Sequence, residues 1–316
     1  MRAKGKDLVE IFGFAPDDKS SAAISMWDKS MCPFTNDKCS KYNHDKSIIY
    51  GVCSVTNGKN KKEGSEVIIC PKRLYANNYE ILKHATDEAW PEKDIHLVVT
   101  NENINDLEKI KKDLNVFALA FGQGSKNEIS IDANDNKLSM DWVIQTYTNS
   151  TDKKNEPTEF IGIEIQSIDI TGNYRDNWSF YYNQKYKNQY EEVNSGHGLN
   201  WANVHKRLIP QIIRKGNVYR NCTRCVGFFF ILPEPVFLKF EDILKGMPEV
   251  EKPANDVLSI MTYKIGSNVP EGYIRPIVNS RKLHYKLDDI IAAFSSSDGY
   301  TLAADELNKK LLNIQM

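Results

Sequence analysis

The sequence predicts an α/β protein with a mixed central sheet flanked by helices, preceded by a small irregular segment that binds a metal. Apolar runs typical of strands alternate with helical patterns over residues 76–316. Two strand patterns, at 140–148 and 159–173, are separated by a polar segment, which indicates an antiparallel hairpin within the sheet. Four cysteines fall within residues 1–75, where apolar periodicity is weak. We therefore predict two parts, a metal-binding segment at 1–75 and an α/β core at 76–316.

The composition bounds the class of protein. A chain of 316 residues can bury a large core, and its 41 basic and 42 acidic residues give no overall preference for a polyanion. The opening MRAKGKDLVEIFGF lacks the apolar stretch of a signal peptide, and the longest apolar run, Val226–Leu232, is too short to cross a membrane. We expect a cytoplasmic bacterial protein with no membrane partner, whose six cysteines are thiols or metal ligands.

The predicted elements follow in order. Helical patterns occupy Leu8–Phe14 and Ala22–Trp27, and turn-rich sequence carries the cysteines that follow. A longer helix is predicted at Arg73–Ala89, a short strand at His96–Thr100 and a capped helix at Asn103–Leu114. An apolar strand at Val116–Phe121 precedes the hairpin.

Beyond the hairpin, Trp178–Glu192 is aromatic and helical in part. Asn200 caps a helix that extends to Lys215, within which Pro210 predicts a kink or a break. The remaining patterns are a buried strand and two weaker helices, at Val226–Phe240, Leu287–Phe294 and Ala303–Ile314.

Two carboxylates are predicted to meet across the hairpin. Asp141 opens the first strand, and Glu164 lies on the polar face of the second, between Ile163 and Ile165. Pairing of the strands sets Asp141 within about two positions of Glu164, at Cβ separations of roughly 5 Å for opposed residues. Carboxylates that close repel each other unless a cation lies between them, and Mg²⁺ prefers such oxygen ligands. Asp141 and Glu164 are therefore candidate ligands of a catalytic Mg²⁺ ion.

The spacing Asp-x(22)-Glu-x-Gln resembles the PD-(D/E)xK nuclease motif, whose last position is normally lysine. Gln166 occupies that position and can orient a water only by hydrogen bonds. A second cation would replace the lost positive charge, or an additional carboxylate would help to hold such a cation, and Glu128 is the candidate for that carboxylate. The alternative is that these acids are merely solvated charges on the polar face of a strand. Against it, Glu164 lies in the apolar stretch IGIEIQSI, where a charge requires a partner.

The cysteines of the first segment are spaced C-x6-C-x13-C-x16-C, at Cys32, Cys39, Cys53 and Cys70. Four thiolates suit a tetrahedral zinc or iron site, although buried free thiols are the alternative. Cys222 and Cys225 form a single CxxC, which we interpret as core thiols, with half of a second metal site or a redox pair as the alternatives.

A basic strip suggests an anionic partner. No acidic residue occurs from His197 to Cys225, and the candidate phosphate contacts there are Lys206, Arg207, Arg214 and Lys215. A second basic zone includes Lys59, Lys61, Lys62, Lys72 and Arg73. Arg175 is a candidate for contact with base edges. A solvated helix face is the alternative interpretation of the strip.

Taken together, the chain resembles the NotI-like type II restriction endonucleases over nearly its whole length. The resemblance is carried by EIFGFAPDDKS, MCPF, YGVCSV, VIICPKRLY, SMDWVI, EFIGIEIQSIDITGN and NWANVHKRLIPQIIRKG. It implies a PD-(D/E)xK core with Gln166 in the lysine position, and Asp141, Glu164 and Glu128 at the catalytic site. It further implies a structural iron site at the four cysteines, with zinc the alternative.

The same resemblance implies the activity and partners. The expected activity is Mg²⁺-dependent cleavage of both strands of double-stranded DNA at a short palindromic site by a homodimer, with a cognate DNA methyltransferase in the same system. Two alternatives remain: a non-catalytic, metal-stapled DNA-binding protein, and a structure-specific repair or RNA-processing nuclease.

Overall fold

The computed structural model describes residues 8–43, 45–56, 66–99, 116–122, 128–133, 136–148, 156–186, 197–295, 306–307 and 309. In chain order the strands are β1 Leu8–Ile11, β2 Val52–Thr56, β3 Glu66–Ile68, β4 His96–Val99, β5 Val116–Gly122, β6 Ser130–Ala133, β7 Asn136–Ser139, β8 Trp142–Thr148, β9 Glu156–Ile165, β10 Ile170–Thr171, β11 Gly198–Leu199, β12 Cys225–Pro233, β13 Val257–Ile265 and β14 Ile277–Lys286. The helices are α1 Ser21–Lys29, α2 Ala76–Ala89, α3 Arg175–Tyr186, α4 Trp201–Arg220, α5 Glu234–Phe237 and α6 Leu287–Ser295, with 3-10 turns at Pro71–Tyr75 and Glu241–Leu244.

A seven-stranded sheet in the order β14-β13-β12-β9-β8-β5-β4 forms the centre of the described molecule. β9, β12 and β13 run parallel, as do β4 and β5, while β8 pairs antiparallel with both β5 and β9. The prediction of a mixed central sheet flanked by helices is confirmed.

The two faces of the sheet bury different sets of side chains. On one face Phe228 and Phe230 of β12 pack with apolar residues of α4, while on the other Phe229 and Ile231 join residues of α2. β12 is buried on both faces, which explains its continuous run of aromatic and aliphatic residues.

The N-terminal segment is more regular than predicted. β1, β2 and β3 form an antiparallel sheet of their own. The helical pattern predicted at Leu8–Phe14 was wrong, because Leu8–Ile11 is a strand that pairs with β2 and is buried throughout. The helix predicted at Ala22–Trp27 is confirmed as α1. Residues of this sheet belong to both core clusters, so the segment packs as part of one folded body.

Other elements match the predictions in part. Asn200 caps α4 by accepting a hydrogen bond from the Asn203 N–H at 3.2 Å, as predicted. No break occurs at Pro210, because the flanking turns are held by apolar residues packed against the sheet. The strand predicted at Val226–Phe240 ends at Pro233, where α5 begins.

Some predictions concern segments outside the described residues. These are the helix at Asn103–Leu114 and most of the helix at Ala303–Ile314. Among the helices that the structure describes, none is long and apolar enough to cross a membrane.

Candidate active site and cysteine cluster

The hairpin brings the two predicted carboxylates together. β8 and β9 pair with Trp142 opposite Ile163 and Ile144 opposite Ile161. Continued by one residue, that register sets Asp141 opposite Glu164 at the start of β8. The predicted antiparallel hairpin is confirmed, and the opposition of the two acids follows from its register.

Backbone hydrogen bonds connect each carboxylate to the opposite strand. The Ile165 N–H donates to Asp141 Oδ2 at 2.9 Å. The Asp141 N–H donates to Glu164 Oε1 with a separation of 3.4 Å. These reciprocal bonds hold the carboxyl groups of Asp141 and Glu164 side by side at one end of the hairpin.

A third charged group enters the site from α4. Lys215 Nζ donates a hydrogen bond to Glu164 Oε2, and the two side chains are only 6% and 0% exposed. The partner that the sequence analysis required for Glu164 is therefore a lysine from a distant helix. Removing either partner of such a buried ion pair strongly destabilises the protein, because the other charge is left buried and unpaired.

The position of Lys215 follows from the way α4 packs. Its apolar stripe includes Val204, Leu208, Ile212 and Tyr219, and Lys215 falls in phase with them. The Tyr219 ring lies over Gly162 of β9, where an added Cβ would approach its Cζ to 2.1 Å.

At this contact the spacing of two residues along the helix matches the spacing of two residues along the strand. Lys215 and Tyr219 are separated by four helical positions, about 6.0 Å along the axis. Glu164 and Gly162 are separated by two strand positions, about 6.6 Å. The close Tyr219–Gly162 contact therefore places Lys215 over Glu164.

The electrostatics of the site follow from its burial. Burial and the neighbouring Asp141 raise the pKa of Glu164 to about 8, against the opposing charge of Lys215. Burial also raises the pKa of the Tyr219 hydroxyl well above its usual value, and Glu164 adds to that effect. The Tyr219 hydroxyl has no hydrogen-bond partner among the described residues. The burial of Glu164 would strengthen its interaction with a bound cation.

The other two predicted catalytic residues, Gln166 and Glu128, are positioned by contacts of their own. The Gln166 side chain donates to its neighbour's carbonyl, Ser167 O, at 2.6 Å. Glu128 is exposed. Next to it, Ile129 O accepts a hydrogen bond at 2.9 Å from the N–H of Met140, the residue before Asp141. That bond continues the register of β6 and β7, whose next pair would be Glu128 and Asp141.

Most of the predicted DNA contacts lie on the surface. Lys206, Arg207 and Arg214 are exposed on α4, and Arg175 is exposed at the start of α3. Arg207 Nη1 forms an ion pair with Asp169 Oδ2 at 2.9 Å, so part of its charge is already balanced.

Two predicted members of the basic zones are not on the surface. Lys215 is buried at Glu164, because it lies in the apolar phase of α4. Arg73 is 0% exposed and pairs with Glu10, its Nε lying 2.9 Å from Oε2. Of the second zone, Lys59, Lys61 and Lys62 lie outside the described residues.

The four N-terminal cysteines line a common cavity, together with Lys41 and Lys72. Cys53 belongs to β2 and Cys70 follows β3, while Cys32 and Cys39 lie on the turn after α1. The turn is closed by hydrogen bonds from Cys32 N to Asp37 O at 2.8 Å and from Cys39 N to Ser30 O at 2.9 Å. Residues far apart in the sequence are thus brought to one place.

The surroundings of these thiols favour the neutral form, so a thiolate here requires a cation beside it. Burial raises the pKa of Cys39 to about 11, and burial together with the neighbouring Cys70 raises the pKa of Cys53. The Lys41 backbone N–H donates to Cys39 Sγ at 3.5 Å, which is the kind of contact that stabilises a negative sulfur. Burial raises the pKa of Cys70, against the opposing charge of Lys41.

As the side chains stand in the described parts of the chain, no three His, Cys, Asp or Glu residues are grouped so as to hold a metal ion. The four thiols surround a shared space, and the acids form a pair.

Lys215 and Tyr219 are the site residues that sequence reasoning missed or misplaced. Lys215 was grouped with its charged neighbours, although it is in phase with Leu208 and Ile212 on the apolar face. A lysine in that phase is a detectable signal, because an unpaired charge is not stable in an apolar core.

Comparison of the chain with protein-family models and with curated proteins gave no match in either case.

Proposed function

We propose that this protein is a Mg²⁺-dependent endonuclease that hydrolyses phosphodiester bonds on both strands of DNA at a short palindromic site, as type II restriction endonucleases do. The observation that carries the proposal is the opposition of Asp141 and Glu164 at the end of the β8–β9 hairpin, each bonded to the backbone beside the other. The resemblance to the NotI-like enzymes, which includes both strands, supports the same activity.

The donor set fits a divalent cation. Asp141 and Glu164 would be its protein ligands, with substrate oxygens and waters completing the shell. When bound, Mg²⁺ lowers the pKa of a coordinated water and stabilises the negative charge that builds on the phosphate. Asp141 Oδ2 accepts a hydrogen bond from the Ile165 N–H, which fixes the orientation of that carboxylate.

The remaining groups position the water and the DNA. Gln166 would orient the attacking water by hydrogen bonds, and Glu128 would assist at the side of Asp141 that faces β6 and β7. Lys206, Arg207 and Arg214 would contact phosphates, and Arg175 would reach base edges. The three residues of α4 lie on the helix that reaches the carboxylates through Lys215, which supports a common DNA-binding face.

The cysteine cavity is proposed as a structural metal site, with iron or zinc held by Cys32, Cys39, Cys53 and Cys70. Its support is the shared cavity and the bond from the Lys41 N–H to Cys39 Sγ. The side chains would have to converge on the ion, since thiolates bind zinc at about 2.3 Å. A homodimer, a cognate DNA methyltransferase and a cytoplasmic location belong to the same proposal.

A digest of large DNA tests the activity. The purified full-length protein is incubated with a long DNA of known sequence in Mg²⁺ and in EDTA, and the fragment ends are sequenced. The matched variants are Asp141→Asn and Asp132→Asn, the second removing an exposed charge on β6. The expected result is discrete fragments sharing one end sequence, produced in Mg²⁺ by the wild type and Asp132→Asn only.

Other results would overturn the proposal in distinct ways. A protected footprint without nicking, on DNA containing the bound sequence without methylation, would indicate a binding protein. A smear without a shared end sequence would indicate a nuclease without sequence specificity. Discrete fragments from the Asp141→Asn variant would show that the carboxylate pair is not the site of chemistry.

A further inference from the structure

We propose that Lys215 supplies, from α4, the positive charge that Gln166 does not provide at the motif lysine position. The inference rests on the proposed nuclease activity and deepens it. Lys215 is a positioning residue, because it contacts the carboxylate Glu164.

The need for such a charge follows from the hairpin. Gln166 is neutral, and its Nε2 is bonded to Ser167 O at 2.6 Å. It therefore does not offset the charge of the two carboxylates. When both groups are ionised, Asp141 and the buried Glu164 carry two adjacent negative charges, an arrangement that requires a nearby cation.

Lys215 satisfies that requirement by direct contact. Its Nζ donates to Glu164 Oε2, on the carboxyl group whose other oxygen accepts from the Asp141 N–H. The ammonium therefore lies beside the carboxylate pair, which is where a lysine two positions after Glu164 would direct its charge. Its charge opposes the effects of burial and of Asp141 on the pKa of Glu164.

A purely structural role explains the pair poorly. The positions of α4 in the same phase are apolar, and a leucine or methionine at position 215 would continue the stripe. Replacement of a buried ion pair by apolar residues is often neutral or stabilising. Retaining both charges in this core therefore indicates a use for them.

The packing of α4 makes the contact specific. Gly162 leaves room for the Tyr219 ring over β9, and Gly216 lies where an added Cβ would approach Leu287 Cδ1 to 2.9 Å. These two close contacts hold the helix at Gly216 and Tyr219, within four residues of Lys215 on its C-terminal side. The ammonium is thus placed by the scaffold before any metal or DNA is bound.

Relocating the charge tests the inference. Cleavage in Mg²⁺ is measured for full-length protein on the long DNA used above, with the wild type, Lys215→Met, Gln166→Lys and the double variant. Lys286→Met is the matched control, since Lys286 belongs to an exposed ion pair with Asp256. The melting temperature of each protein shows whether it is folded.

The expected outcome is a loss and a rescue. Lys215→Met should lower the cleavage rate by about 100-fold or more, the scale seen when one electrostatic group is removed from an active site. Adding Gln166→Lys should restore at least about 10-fold of that loss, because the lysine returns to the same carboxylate from the strand. Lys286→Met should cleave at the wild-type rate.

A rate near wild type for Lys215→Met would overturn the inference while leaving the nuclease proposal intact. A folded double variant no faster than Lys215→Met would do the same. If Lys215→Met does not fold, Lys215→Arg becomes decisive: it keeps the charge and should stay within about 10-fold of wild type, and a loss of 100-fold in the folded protein would refute the assignment. If the wild type fails to cleave the long DNA, both proposals fall together.

Discussion

At the scale of single residues, buried charge determines where this molecule is most sensitive. Glu164 and Lys215 form one buried pair, and Glu10 and Arg73 form another. The second is tightly bound: Arg73 Nη2 donates to Glu10 Oε1 at 2.9 Å, and the Ser54 hydroxyl donates to Glu10 Oε2 at 2.7 Å. The cost of breaking each pair exceeds that of any exposed ion pair.

Replacing Arg73 with methionine should lower the free energy of unfolding by about 3–5 kcal/mol, because it leaves Glu10 charged and buried. Chemical denaturation of the variant beside the wild type measures the difference. Lys83→Met is the control, since Lys83 and Asp87 form a pair that is 61% and 50% exposed. Equal losses from the two substitutions would contradict the role given to Arg73.

The raised pKa of Glu164 predicts a pH dependence for the metal-free protein. Between its ordinary value of 4.5 and about 8, the folded state retains a proton that the unfolded state has released. Stability attributed to this group is therefore complete below about pH 4.5 and is lost as the pH rises to about 8, by at most about 1.4 kcal/mol per unit.

Glu164→Gln removes that ionisation. Its free energy of unfolding relative to wild type should rise between pH 5 and pH 8 and level off above that range. Denaturation of both proteins in EDTA at several pH values provides the measurement. A difference that does not change with pH would mean that Glu164 is ionised throughout.

At the scale of elements, the contact between α4 and β9 organises the candidate site. Gly162→Ala should force Tyr219 away from the strand and cost about 1–3 kcal/mol of stability, as overpacking of a core does. It should also reduce cleavage, since Lys215 moves with the helix. In a protein that already carries Tyr219→Ala, the added methyl group at position 162 should cost less stability than it does in the wild type.

A double-mutant cycle shows whether the two residues are coupled. The free energies of unfolding of Gly162→Ala, Tyr219→Ala and the double variant are compared with that of wild type. Additive effects would contradict a direct contact at this position.

The cysteine cluster gives a prediction about metal content. Cys53→Ser should lose most of its iron or zinc and melt at a lower temperature, because Cys53 belongs to β2 at the centre of the small sheet. Cys222→Ser, outside the cavity, should keep both properties. Elemental analysis of the purified proteins decides, and a full metal content in the first variant would refute the proposed ligand set.

The sequence could predict the hairpin and its carboxylates because both depend on local pattern. Alternation along β9 and a polar turn determine which side chains face each other, and Asp141 and Glu164 are 23 positions apart. The contribution of Lys215 was missed because it depends on how a distant helix crosses the sheet. For the same reason Arg73 was assigned to the surface: its charge was visible, but its contacts with Glu10 and Arg275 were not.

Some elements were predicted wrongly for physical reasons that the structure shows. Leu8–Ile11 lacks the alternation of a half-exposed strand, because all four residues are buried. Pro210 does not end α4, since packing on both sides compensates for one missing backbone hydrogen bond.

At the scale of the whole molecule, the proposed activity requires two copies of the site. A palindromic target is read by two subunits related by a two-fold axis. Sedimentation of the protein with a DNA duplex carrying its cleavage sequence should therefore give a complex of two chains per duplex. One chain per duplex, with both strands cut, would contradict the homodimer.

A hydrogen bond between distant parts of the sequence also affects the timing of folding. Arg73 Nη2 donates to Arg275 O at 2.6 Å, across 202 positions of sequence. At about 5–20 residues per second, the ribosome adds the second partner roughly 10–40 s after the first. During that interval the Arg73 guanidinium lacks the Arg275 carbonyl, and contacts of such long range form slowly. The cysteine-bearing segment, which contains Arg73, can thus complete its packing only after residue 275 has been synthesised.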